Sequence, residues 1–142
     1  MSDTLKVCGL TIERGTKLRT YLPVPDTNVK IPLTIINGEN DGPTLLITAG
    51  IHGGEYPGIA AAMELGRDIE PEHVTGCLIM MHPVNIQGFW ARREMIVPED
   101  GKNHNRVFPG DPTGTLADKT AYLISNNFFP IADFYVDMHS GD

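Results

Sequence analysis

The chain has 142 residues, about one domain's worth, enough to bury a real hydrophobic core. Eighteen Asp and Glu against eleven Lys and Arg leave a net charge of −7, which argues against a nucleic-acid or anionic-membrane surface. No apolar run approaches the ~20 residues of a membrane-spanning helix, Met1-Ser2-Asp3-Thr4 lacks the basic and apolar regions of a signal peptide, and Cys8 and Cys77 read as reduced thiols of a cytoplasmic protein.

Fifteen Gly and eleven Pro in a chain that is 41% hydrophobic point to tight turns rather than disorder. Residues 16–24 and 29–36 are β-rich and flank Pro25-Asp26-Thr27-Asn28, a turn-forming group, which predicts a hairpin. Pro23 and Pro32 would interrupt a central ladder and so belong near an edge or bulge. Thr44 to Ala49 is a short continuous apolar run, the mark of a strand buried on both faces of a parallel sheet. A helix fits residues 55–68, with Ile59, Ala62, Met63 and Gly66 forming one apolar stripe. Cys77 to Met81 reads as a second buried strand. Residues 83–112 hold no sustained period and read as a long functional loop. Thr115-Leu116-Ala117-Asp118 resembles a capping box and opens a helix with Ala117, Ala121, Ile124 and Phe128 on one face. Pro130 ends it, and Ile131 to Met138 read as a third buried strand. Alternating strands and helices after a hairpin imply right-handed crossovers onto a sheet, so the fold class is α/β.

Two segments carry chemistry. Gly50-Ile51-His52-Gly53-Gly54-Glu55 lies directly after the first buried strand and before the first helix; the glycines allow a tight turn and leave room beside His52 and Glu55. Asp137-Met138-His139-Ser140-Gly141-Asp142 follows the last strand. Both sit at carboxyl ends of predicted parallel strands, the edge where open α/β sheets bind ligands. Two His and one Glu from that edge make a three-ligand set with an open fourth position, the composition of catalytic zinc sites; magnesium would want more oxygen ligands. Asp137 precedes His139 by two, so along a strand both point to one side and Asp137 can orient the histidine. His82 also ends a buried strand and is an alternative third ligand on topology alone. His73 and His104 lie in polar loop segments and read as solvated. The loop also holds Arg92-Arg93 and Asn103-His104-Asn105-Arg106-Val107-Phe108-Pro109-Gly110; a guanidinium there can grip a substrate carboxylate through two parallel hydrogen bonds or stabilise an oxyanion.

Together, His52-Gly53-Gly54-Glu55, Asn105-Arg106-Val107-Phe108-Pro109-Gly110 and Asp137-Met138-His139 resemble the succinylglutamate desuccinylase/aspartoacylase family of the zinc carboxypeptidase clan, in the family's order. The resemblance covers roughly residues 40–142. It implies a zinc-carboxypeptidase-like (phosphorylase/hydrolase-like) fold, a mixed and largely parallel sheet with flanking helices. Residues 1–38 would form an N-terminal β-hairpin region packed on residues 39–142, the N-terminal part of the hydrolase domain. It implies one zinc ion per chain on His52, Glu55 and His139, which leaves His82 a neighbour of the site. Asn105 and Arg106 match the pair that holds the substrate's carboxylate, and Arg93 resembles the arginine that polarises the scissile carbonyl. Asn103-His104 replaces the family's usual Asp-Leu.

In such an enzyme, metal-activated water hydrolyses the amide bond of a small N-acyl amino acid, with a glutamate as general base. That glutamate is expected beyond residue 142, so the chain reads as the N-terminal portion of a longer deacylase, weakly active or inactive by itself. The rival readings are a zinc carboxypeptidase acting on peptides and a non-catalytic metal-binding fragment or subunit. An unfinished sheet edge also invites pairing with another chain, as in a homo-oligomer.

Overall fold

Five strands build the sheet that positions the site, in a computed structural model that describes residues 4–93 and 95–141. Ahead of it, β1 (Thr4–Val7) and β2 (Leu10–Glu13) form a small antiparallel ribbon. Its two-residue turn, Cys8-Gly9, has positive φ at both positions (49° and 76°), which suits the twist of a tight hairpin. Each of these strands has only four residues, too few for alternation to announce them.

The predicted hairpin is β3 (Thr16–Pro23) and β4 (Lys30–Asn37), paired antiparallel. Then come β5 (Asn40–Ala49), α1 (Tyr56–Asp68), β6 (Thr75–Met81), α2 (Ile86–Ala91), α3 (Leu116–Asn127) and β7 (Phe134–Met138). The sheet order is β3-β4-β6-β5-β7. β4 runs antiparallel to β3 and β6, and β5 runs parallel to β6 and β7, so the sheet is mixed and the fold α/β as predicted. Pro32 sits on an inner strand, yet β6 joins β4 only from Leu33 onward, so its missing N–H interrupts no ladder there. Its carbonyl accepts the His82 N–H at 3.1 Å.

Alternation along the strands divides the core. Leu33, Ile35, Leu46, Ile79 and Met81 pack with Leu123, Ile124 and Phe128 on the α3 side. Ile36, Ile47, Leu78 and Met80 form the cluster on the opposite face, where Gly66 of α1 lies against Thr34 and Gly58 against Met138. The α3 stripe is as predicted, with Ala117, Ala121, Ile124 and Phe128 all fully buried. In α1 the stripe is narrower: Ile59, Ala62 and Gly66 are buried, whereas Met63 is 48% exposed, because the helix meets the sheet through its small residues. Lys17 of β3 caps the carboxyl end of α1, donating to the Arg67 and Ile69 carbonyls at 2.9 and 2.8 Å.

Asp118 starts α3. Its carboxylate accepts the Thr115 N–H at 2.9 Å and the Thr115 hydroxyl at 2.8 Å, and pairs with Lys102. These bonds, that of Lys102 first, pull its pKa down to about 2. Asp118→Ala is expected to destabilise the protein by about 1 kcal/mol through loss of the cap, read as a lowered denaturant midpoint at unchanged slope.

Two elements differ from the sequence expectation. The 83–112 segment is no plain loop: it holds α2, capped by Asn85 Oδ1 accepting from the Gly88 N–H at 2.9 Å, and a single 3-10 turn at His104–Arg106. Six residues are too short for a helical period to stand out. The third strand is shorter than 131–138, because Phe129–Ile131 forms a 3-10 turn first, and it is not buried. As the sheet's edge, paired with β5 alone, it leaves Phe134, Tyr135 and Val136 62%, 42% and 45% exposed.

Candidate metal centre

The parallel pairing of β5 with β7 sets Ala49 opposite Met138, so the turn after one strand and the residue after the other emerge side by side. That juxtaposition brings His52, Glu55 and His139 together. Gly50 makes the exit from β5 possible: its φ is +70°, and a Cβ there would lie 2.6 Å from Pro83 Cβ. Gly53 lets the turn press on α2, since a Cβ would lie 2.3 Å from the Phe89 backbone nitrogen. Glu55 is the residue before α1 but makes no side-chain cap. Its carboxylate turns into the site instead, near the positive end of the helix.

There one carboxylate faces two imidazoles. Glu55 Oε1 lies 2.9 Å from His52 Nδ1, and Oε2 lies 2.9 Å from His139 Nδ1 and 3.3 Å from the Ser140 N–H. The rings stand 5.1 Å apart at 63°. One donor atom from each of the three residues falls within 4.8 Å of the others, an arrangement that could hold a metal ion. The outer ring nitrogens support that reading. His52 Nε2 meets Asn103 Oδ1 at 3.0 Å, and His139 Nε2 meets Asp137 Oδ2 at 2.7 Å. With an acceptor behind each Nε2, a neutral ring that keeps its proton there would leave Nδ1 free to hold a metal ion, as metal-ligating histidines require. With no metal to compete, partial burial disfavours the His139 imidazolium, but the hydrogen bond and charge of Asp137, with Glu55, lift its pKa above the ordinary value.

The substrate-side residues are arranged less tightly. Asn105 and Arg106 are exposed on the 3-10 turn, tied to the site through Asn103, whose Oδ1 also accepts the Asn105 N–H at 2.9 Å. Arg106 Nη1 donates to the Asn105 carbonyl at 3.2 Å. Arg93 is exposed just beyond α2, its backbone N–H on the Gly88 carbonyl at 2.9 Å, and no contact joins it to the three donors. Glu94 and Asp142 lie outside the described residues.

Two histidines sit differently from their sequence reading or its alternative. His82 ends β6 but faces Thr34, with Nε2 3.0 Å from Oγ1, away from the donor cluster. His104 is not solvated: it is 2% exposed, and among the described residues no hydrogen bond of ordinary length reaches either ring nitrogen, leaving only the weaker pull of the Ile51 carbonyl. Burial drives its pKa down to about 4, against the pull of the Ile51 carbonyl and Asp100. Asn103, Thr48 and Ser140 also belong to the site's surroundings without any sequence signal of their own; Asn103 could have been found only from its place two residues before Asn105.

The family model of the succinylglutamate desuccinylase/aspartoacylase catalytic domain matches residues 41–142. N-alpha-acetyl-L-2,4-diaminobutyric acid deacetylase of Halomonas elongata is 40% identical over 128 residues, 85% of this chain and 37% of that protein. A succinylglutamate desuccinylase/aspartoacylase from Rhodobacter sphaeroides superposes with a TM-score of 0.84 at 36% identity, over 98% of this chain and 44% of the other. The product-bound ectoine utilization protein EutE of Ruegeria pomeroyi gives 0.82 at 39% identity, over 88% and 40%. The chain thus spans less than half the length of these relatives.

Proposed function

Since this chain belongs to the succinylglutamate desuccinylase/aspartoacylase family, we propose that it carries the zinc-holding part of a deacylase that hydrolyses the amide bond of a small N-acyl amino acid. The observation that carries this reading is the convergence of His52 Nδ1, the Glu55 carboxylate and His139 Nδ1, each histidine fixed from behind by an acceptor. Two imidazoles and one carboxylate suit zinc, one ion per chain, and leave a position open for chemistry. When bound, zinc supplies Lewis-acid polarisation of a carbonyl and eases deprotonation of water.

The chain's own residues do the rest of what falls to this portion. Arg106, with Asn105, grips the substrate carboxylate through its planar guanidinium and fixes the acyl group over the donors. Arg93, once its loop meets substrate, stabilises the oxyanion. The β3–β4 hairpin continues the hydrolase sheet through the pairing of β4 with β6, with Lys17 as its tie to α1. Among the described residues no helix is long and apolar enough to cross a membrane, and we place the protein in the cytoplasm.

The name of the Halomonas elongata relative favours an N-acetylated diamino acid as substrate. The test is hydrolysis by the protein carrying this chain of N-acetyl-2,4-diaminobutyrate, N-acetylaspartate, N-succinylglutamate and a blocked C-terminal peptide. Preference for the first is expected, by at least tenfold in kcat/KM, the size of one mismatched pocket contact, about 1–3 kcal/mol. Preference for the peptide would make the protein a carboxypeptidase, and no turnover of any of them, with zinc bound, would leave a metal-binding subunit.

A further inference from the structure

His139 emerges from an edge strand that only β5 holds, yet a metal ligand must keep its ring within a narrow orientation. Hydrogen bonding through Nε2 to Asp137 fixes the ring only if Asp137 is itself fixed. The register places Thr48 opposite Asp137 and Leu46 opposite Tyr135, so Thr48, Tyr135 and Asp137 share one face of the β5–β7 pair. Thr48 is fully buried, a hydroxyl between apolar Ile47 and Ala49. It donates to Asp137 Oδ1 at 2.7 Å, and its oxygen lies 2.8 Å from the Tyr135 hydroxyl. Thr48 has one proton and gives it to Asp137, so the Tyr135 O–H must donate to Thr48.

We propose that Thr48 and Tyr135 are positioning residues of the metal centre: through Asp137 they hold the His139 ring with Nδ1 facing the donor set. The proposal rests on the zinc reading above for its functional meaning, but the hydrogen-bonded chain stands on geometry alone. Directional donation runs from Tyr135 to Thr48 to Asp137 Oδ1, which leaves Oδ2 free for His139 Nε2. The same bonds cross-link β7 to β5, the strand whose exit carries His52 and Glu55. Burial, opposed by the bond to Thr48, pushes the Tyr135 hydroxyl up to about 12, so it stays a donor throughout the working pH range.

The experiment compares the parent with Thr48→Val, Thr48→Ser and Tyr135→Phe by two readouts. One is zinc affinity by chelator competition. The other is the imidazole ¹⁵N spectrum of His139 in metal-free protein, which reports its tautomer and hydrogen bonding. Thr48→Val is expected to weaken zinc by about tenfold, the lower end for loss of an outer partner, and Tyr135→Phe by roughly threefold. Thr48→Ser should restore both readouts. In an Asp137→Asn background, Thr48→Val should have no further effect on affinity, as required if it acts through Asp137. Parent-like zinc affinity and an unchanged His139 spectrum in both Thr48→Val and Tyr135→Phe would overturn the proposal. A His139 spectrum that responds to Thr48→Val in a parent that binds no zinc would uphold the positioning chain and overturn the metal reading instead.

Discussion

Elemental analysis is expected to find close to one zinc ion per chain in the parent protein and none at stoichiometric level once His52 or His139 is replaced with alanine. The argument is one of ligand count. Three protein donors converge here, and no fourth His, Cys, Asp or Glu joins their cluster among the described residues, so a lost imidazole has no substitute. Loss of an outer partner already weakens metal binding by about 10–100-fold, and loss of a direct ligand must exceed that. Glu55→Gln is the subtler variant. It keeps the shape but removes the charge that both Nδ1 atoms face, and it should lose zinc as well. A second readout is linkage: an ion that binds only the folded state stabilises it by about 4 kcal/mol at a concentration 1,000 times its Kd. Added zinc should therefore raise the Tm of the parent and leave that of His52→Ala unmoved. Zinc retained in His52→Ala at the parent's stoichiometry would remove His52 from the ligand set.

The convergence of His52, Glu55 and His139 was legible because its signal is local and its placement follows from topology. A glycine-flanked His-x-x-Glu at the end of an apolar run lands at a strand's carboxyl end wherever the sheet is parallel, and Asp137 and His139 share a side by simple alternation. The same elementary rules placed β5, α1, β6 and α3. What stayed hidden depends on pairing across long stretches of chain. Thr48 looks like any β-branched residue in a buried strand until register sets it opposite Asp137. The exposure of β7 depends on its position at the edge, since its Phe, Tyr and Val match a buried strand equally well. Met63 fits the helical stripe of α1, but that helix approaches the sheet along Gly58, Ala62 and Gly66, and the longer side chain falls outside the contact. His104 misled for the converse reason: its neighbours in sequence are polar, yet the fold buries it.

That histidine gives the protein an acid-sensitive point beside its functional turn. In the unfolded chain His104 titrates near 6.5; in the fold, burial lowers this to about 4. Between those values the unfolded state binds the extra proton and the folded state does not, so unfolding free energy rises with pH. Stability contributed by the neutral ring is complete above about pH 6.5 and is lost as pH falls toward 4, a total of about 3 kcal/mol at 1.36 kcal/mol per unit. His82, whose pKa burial also lowers, tilts the curve in the same direction, and His139, whose pKa is raised, tilts it oppositely. The His104 share must therefore be read as a difference between variants. His104→Leu should flatten the parent's slope between pH 7 and 5 in denaturant titrations. At pH 7 it should also stabilise the protein by about 1–3 kcal/mol, because it removes a buried imidazole whose ring nitrogens make no ordinary hydrogen bond among the described residues. A variant that keeps the parent's slope would show that His104 does not titrate on unfolding. One that loses stability at pH 7 would mean an ordered water satisfies the ring. The consequence for function is local: His104 sits between Asn103, which holds His52, and the exposed Asn105 and Arg106. Protonating it is expected to loosen the turn that joins His52, through Asn103, to Asn105 and Arg106.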